Sequence, residues 1–134
     1  MRTVPPPPPV PTAPPPGPAL GWEDMALTPG DWSWREDGPS ASYGAGVFTL
    51  RCESSGRRIV LQRSGAAGPL ILRTSFGART LPAGVGGVVL PATDPILDQI
   101  VFSRGRFAVE AEGQSRLVLP SWPEPARVVE ECRG

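Results

Sequence analysis

At 134 residues the chain has room for one domain, and its 13 basic and 13 acidic residues cancel, which excludes long-range attraction to nucleic acid or anionic lipid as an organising force. All the basic residues are arginine, and lysine, asparagine and histidine are absent. Ser-His-Asp, Cys-His and Ser-Lys mechanisms, lysine Schiff bases and histidine metal sites are therefore excluded, leaving carboxylate, tyrosine, serine or thiol chemistry.

Residues 4–18 read VPPPPPVPTAPPPGP. Such a run favours extended polyproline II, has almost no backbone donors and cannot join a packed core. Residues 1–20 are expected to be a disordered proline-rich leash, acting as a spacer rather than as a ligand for a proline-recognising module. Residues 21–134 then form a single mostly β domain of ordinary size. Met1-Arg2-Thr3-Val4 leads straight into the prolines without a signal-peptide pattern, so an exported form is expected to lose its targeting segment upstream of this start. No apolar run reaches membrane-spanning length, although an upstream lipid anchor would suit the leash.

The segment Leu20 to Leu27 predicts one helical turn with Trp22, Met25 and Ala26 inward, closed by the turn signal Thr28-Pro29-Gly30-Asp31. In Asp31-Trp32-Ser33-Trp34-Arg35, period-two geometry sets both indoles on one side of a strand. They serve either as core anchors, the reading preferred here, or as an aromatic binding surface. Val47 to Cys52 alternates, with Phe48, Leu50 and Cys52 on one face. Further strands are expected at Ile59 to Gln62, Leu70 to Thr74 and Val85 to Leu90, the last bent by its glycines. Another is expected at Arg106 to Glu112, with Phe107, Val109 and Ala111 inward. It turns through Glu112-Gly113-Gln114-Ser115 into Arg116 to Leu119 as a hairpin, where Arg116 can meet Glu110 or Glu112.

Two short helices interrupt the strands, near 94–102 and 123–132. The first has Asp94 as N-cap, Pro95 at its first position, and Ile96, Leu97, Ile100 and Val101 as its apolar face. In the second, Ser121 and Glu124 have capping-box spacing, Pro125 argues for a slightly later start, and Val128, Val129 and Cys132 face the sheet. The expected fold is mainly β: a small antiparallel sandwich or partly open barrel of about six to eight short strands with these two helices.

Cys52 and Cys132 both fall on inward faces. Their even number, and the lack of residues to complete a metal site, predict a disulfide and hence an oxidising compartment. Closing a loop of about 80 residues is worth ~4–5 kcal/mol in chain entropy. Arg104-Gly105-Arg106 lies between a helix end and a strand. There the two guanidinium groups would face an anion or partner, or Gly105 would simply cap the helix. Asp94, Asp98, Glu110, Glu112, Glu130 and Glu131 show no pairing of the kind a glycosidase needs.

The segments FTLRC, LQRSG, LILRTSFGARTL, LPATDPILDQIVFSRGRFAVE and LVLPSWPEPARVVEECR, spanning Trp32 to Arg133, together resemble small envelope proteins of GC-rich alphaproteobacteria, notably the sphingomonad group. The arginine-rich, lysine-free composition agrees with GC-rich coding. In layout the chain is also similar to invasion-associated locus B-like proteins, with a strand-borne cysteine, a β-rich body and a closing cysteine, though their additional cysteines are missing. The resemblance implies an exported domain and supplies no catalytic residue. The resulting expectation is a non-enzymatic periplasmic or lipid-anchored binding module with an envelope protein partner and no cofactor. A periplasmic inhibitor of a hydrolase, using the extended start from Pro14 to Trp22, is the alternative. A carboxylate-dependent hydrolase ranks last.

Overall fold

A computed structural model describes residues 21–134. The leash expected at 1–20 lies outside the described residues. The described residues form two antiparallel sheets and two α-helices. In chain order the strands are β1 (Trp32–Arg35), β2 (Ser40–Tyr43), β3 (Phe48–Glu53), β4 (Arg58–Arg63), β5 (Leu70–Thr74), β6 (Gly77–Leu81), β7 (Val88–Pro91), β8 (Arg106–Ala111) and β9 (Leu117–Pro120). Helix α1 (Pro95–Phe102) follows β7, and α2 (Pro123–Arg133) ends the chain. One sheet has the order β1-β2-β3-β4-β7 and the other β6-β5-β8-β9. The sheets do not close on each other, so the architecture is a small sandwich rather than a barrel.

Alternation along the strands builds the core. Phe48, Leu50 and Cys52 turn inward from β3, and Ile59, Leu61 and Arg63 from β4. Leu70 and Leu72 from β5 and Phe107 and Val109 from β8 meet them from the second sheet. At one end four aromatic rings interlock. Trp32 lies edge-on to Tyr43 at 5.2 Å and stacks on Phe107 at 6.3 Å, and Phe107 meets Phe48 at 6.1 Å. Such pairs add specific geometry to the area they bury. At the other end α2 lies across β1 to β4, in place of the second sheet.

Two strands, β2 and β6, lie outside the segments expected to be strands, and neither carries an apolar pattern. β2 is Ser-Ala-Ser-Tyr, held by pairing with β1 and β3. In β6 only Leu81 is buried, and its backbone pairs with β5 along its full length. The strand expected at Val85 to Leu90 begins at Val88 instead. Val85 is exposed in a tight turn closed by a Gly84–Gly87 bridge, and a Cβ on Gly87 (φ +92°) would collide with the Leu61 carbonyl oxygen.

Both helices fall close to their expected positions, with one local correction. Asp94 caps α1 as anticipated, accepting the Ile96 N–H at 2.9 Å. The Ser121 capping box does not form. The N-cap of α2 is Trp122, with Pro123 first in the helix, and the Ser121 hydroxyl donates to the Ile100 carbonyl at 3.2 Å. Pro125 does not delay the helix, because the first-turn amides lack intrahelical acceptors and a missing donor there costs nothing. The segment before β1 also differs: Trp22 is buried, but Met25 is only half-buried and Ala26 is exposed. Thr28 ties this segment to β9, its N–H donating to the Val118 carbonyl and its hydroxyl accepting the Val118 N–H.

Candidate functional site

The cysteines meet. Cys52 on β3 and Cys132 on α2 are joined in a disulfide with Cα atoms 5.6 Å apart, across 80 residues of chain. Both are buried, so the bond is a structural staple rather than a redox centre. A bridge of this kind persists in oxidising compartments.

The two tryptophans expected to share a face do so, with different fates. Trp32 is 6% exposed and donates its indole N–H to the Pro120 carbonyl at 2.8 Å. It is a core anchor and cannot contribute to an aromatic surface. Trp34 is half-buried beside α2, with the Arg127 guanidinium 4.3 Å from its ring centroid. It lines an open cleft of about 510 Å³, together with Pro123, Glu124, Arg127, Glu130 and Glu131.

The Arg-Gly-Arg turn separates its two guanidinium groups. Gly105 takes the left-handed conformation (φ +73°) beyond the end of α1. Arg106 reaches back to donate to the Met25 carbonyl at 2.5 Å and so clamps the segment before β1. Arg104 stays exposed and enters no ion pair among the described residues. Its backbone N–H donates to the Ser75 hydroxyl at 3.0 Å, and the Ser75 N–H donates to the Ser103 hydroxyl at 2.9 Å. The Ser103 hydroxyl in turn donates to the Arg106 carbonyl at 2.6 Å.

This web locks the β5–β6 turn to the end of α1. Each of the two locked elements carries an outward phenylalanine: Phe76 in the turn is 61% exposed, and Phe102 at the end of α1 is 68% exposed. Sequence reading missed both. Phe102 continues the apolar run of α1, and Phe76 sits in a turn between strands of which one was not recognised. The position of Phe102 one residue past the buried stripe was the signal available.

Of the candidate carboxylates, Asp94 and Glu110 are the most firmly committed to arginines. Asp94 receives two hydrogen bonds from Arg79, at 2.5 and 3.1 Å. Glu110 takes Arg73 at 3.0 Å and Arg116 at 2.6 Å on one oxygen. Arg116 is the partner expected from the hairpin. Burial alone would raise both carboxyl pKa values, but the arginine hydrogen bonds and charges outweigh it and hold both groups below their ordinary range. For Asp94 the Ile96 amide adds to this. Groups held ionised accept protons poorly and are unsuited to general acid catalysis.

Sequence reading also passed over Arg63. It points inward from β4, is 6% exposed and donates to the Val109 carbonyl at 3.1 Å and to the Ser115 carbonyl. Burial pushes its pKa down. It carries its charge across the sandwich as a strut between the sheets. The alternation Ile59, Leu61, Arg63 was the signal that would have placed it inward.

Among the described residues no group of three acidic or cysteine side chains is placed to hold a metal ion, and no helix is long and apolar enough to cross a membrane. Comparison with protein-family models, with curated proteins and with solved structures finds no match.

Proposed function

We propose that this chain is a non-enzymatic binding module of the periplasm or cell envelope, docking a protein partner through the surface where the β5–β6 turn meets the end of α1, with Phe76, Phe102 and Arg104. The observation behind this reading is the exposure of two phenylalanines, 61% and 68%, on a turn and a helix end braced by the Ser75–Ser103–Arg104 web. Rigid exposed aromatics beside an arginine are the anchors that protein interfaces favour, because little entropy is lost when they are covered. Arg104, uncommitted to any carboxylate among the described residues, suits an acidic rim around an apolar recess on the partner. Arg106 takes no part in this surface, since Met25 occupies it. The disulfide supports an oxidising compartment, and the resemblance to envelope proteins supports the periplasm within that class.

The test is cross-linking capture from envelope extract with Phe76→Ser/Phe102→Ser and Arg104→Ala variants. Both should lose the partner captured by the wild-type chain, with the thermal midpoint unchanged in each. Capture at wild-type level by the double variant rejects the surface.

A further inference from the structure

We propose that the free edge of β6 docks a second copy of this chain, strand to strand about a two-fold axis through Arg79, which rests on the docking role given above to Phe76 and names the partner that Phe76 meets.

β5 and β6 form a hairpin closed by Thr74 and Gly77, with Ser75 and Phe76 as its turn. In a hairpin with a two-residue turn the closing residues exchange hydrogen bonds, and bonded and unbonded pairs alternate from there. Gly77, Arg79 and Leu81 therefore spend their backbone groups on β5, while the N–H and C=O of Ala78 and Thr80 point away from it. β6 ends its sheet, and both residues are exposed. Among the described residues no turn or loop supplies either of them with a backbone partner.

Neighbouring structure treats the other edges differently. On β9, Val118 gives both backbone groups to Thr28, and the Pro120 carbonyl takes the Trp32 indole N–H. On β7, Pro91 has no N–H, and its carbonyl accepts the Asp94 N–H. β1 carries two tryptophans and has α2 packed against it. β6 has none of these covers, and Gly77, Ala78 and Thr80 are small. A bare edge of this kind is a template for another strand.

The chain itself carries the complement. With Arg79 on the axis, antiparallel copies set Ala78 opposite Thr80 of the second copy, so every outward N–H and C=O of both residues finds a partner. The same register sets Phe76 opposite Pro82 of the second copy and diagonal to its Thr80, a separation that an aromatic ring spans. Beside Thr80 lies an open hollow of about 330 Å³, floored by Pro69, Ile71 and Ala111 and rimmed by Glu110 and Glu112. This is an apolar recess with an acidic rim, the surface that Phe76 and Arg104 suit. Charge agrees: Arg104 beside the turn and Glu112 at the far end both lack an ion pair among the described residues, and antiparallel pairing brings each end toward its opposite. Two arginines facing each other at the axis would repel. Arg79, however, donates to both oxygens of Asp94, at 2.5 and 3.1 Å, and brings a neutral pair to the axis.

The test is sedimentation equilibrium of the oxidised full-length protein over roughly 10 μM to 1 mM, a span that covers weak association, with amide hydrogen exchange at both ends of the range. Wild type should rise toward twice the monomer mass. The Ala78 and Thr80 amides should gain protection with concentration, while that of Arg79, bonded to β5, stays constant. Thr80→Pro removes an outward N–H and no bond to β5, so it should stay monomeric; should it not fold, the exchange pattern of wild type decides. Phe76→Ser should raise the dissociation constant about tenfold or more, the loss expected of a buried aromatic anchor. A wild type that stays monomeric overturns the proposal and leaves the docking surface to its capture test. A dimer without protection at Ala78 and Thr80 overturns it too, by placing the contact on another edge or face. A dimer with that protection, unweakened by Phe76→Ser, supports the strand pairing and counts against the docking role of Phe76 instead.

Discussion

Breaking the Cys52–Cys132 bridge tests whether the C-terminal helix is held by covalent linkage or by packing. The bond closes a loop across 80 residues. In the chain-entropy treatment, a loop of that length lowers the entropy of the unfolded chain by ~15 cal/mol/K, or about 4.5 kcal/mol at room temperature. Whole domains of this size have stabilities of about 5–15 kcal/mol. Replacing both cysteines by alanine also removes two buried sulfurs that touch the core. It should therefore lower stability by about 5 kcal/mol in total. Urea unfolding of the oxidised wild type and of Cys52→Ala/Cys132→Ala measures this directly. With a slope of about 1.5 kcal/mol/M the midpoint should fall by ~3 M. The variant should unfold first at α2, whose remaining anchors include Pro125, Val128, Val129 and the bonds of Arg133 to Asp98 and the Ala92 carbonyl. Hydrogen exchange should show α2 losing protection while β3 and β4 keep theirs. A midpoint shift under about 0.5 M, with an unchanged slope, would refute the entropic reasoning and give the hold on α2 to its packing alone.

Three further outcomes are expected. Arg63→Ala should cost about 3 kcal/mol, because it opens a cavity and strips the Val109 and Ser115 carbonyls of a donor, whereas Arg63→Met, which fills the space and removes a buried charge, should cost nearer 1 kcal/mol. Paired urea curves check this, and a methionine variant no more stable than the alanine one would refute the share of the cost assigned to the cavity. The Glu110 pKa lies below its ordinary value of 4.5 in the folded chain, so its contribution is fully present above that pH and is lost as pH falls through the folded value. The midpoint of wild type should therefore decline on acidification below pH 4.5 more steeply than that of Glu110→Gln. Arg133→Lys should cost about 1 kcal/mol, because an ammonium cannot reproduce the fork that donates to Ala92 and to both oxygens of Asp98. An unchanged thermal midpoint would count against that geometry.

The fold was legible wherever a short segment carried its own periodicity. Phe48-Thr49-Leu50-Arg51-Cys52 announced a half-buried strand, and Thr93-Asp94-Pro95 announced a helix start. Each signal is local and comes from one side chain in or one cap filled. What stayed hidden was imposed by neighbours. β2 and β6 have almost nothing apolar to repeat, and they are strands because adjacent strands offer them backbone partners. Ser121 has the spacing of a capping residue, but the Ile100 carbonyl is placed to take its hydroxyl. The disulfide was legible because both cysteines sat on inward faces. Of the exposed phenylalanines, Phe102 could have been placed from its position beyond the buried stripe of α1, whereas Phe76 lies in a turn that no periodicity marks. The two tryptophans show the limit most directly. Period two set them on one face, but only the ends of the sheets decide that Trp32 is enclosed while Trp34 lines a cleft.

The arginines take on a structural meaning beyond coding bias. The two sheets are short, and the apolar core they enclose is small. Arg63 spans from one sheet to the other. Arg106 holds the segment before β1 against the start of β8. Arg79 ties the edge strand β6 to the cap of α1, and Arg133 ties the end of α2 to α1 and to the Ala92 carbonyl before it. Each of these seams is closed by a planar fork reaching carbonyl or carboxylate oxygens, often more than one at a time. Lysine supplies a single mobile charge and would close none of them in the same way. Whatever pressure filled the sequence with arginine, the fold now depends on the shape of that side chain. Among the described residues the guanidinium of Arg104, like those of Arg35 and Arg57, closes no seam, and the Ser75–Ser103 web beside Phe102 is what assigns Arg104 to the proposed docking surface.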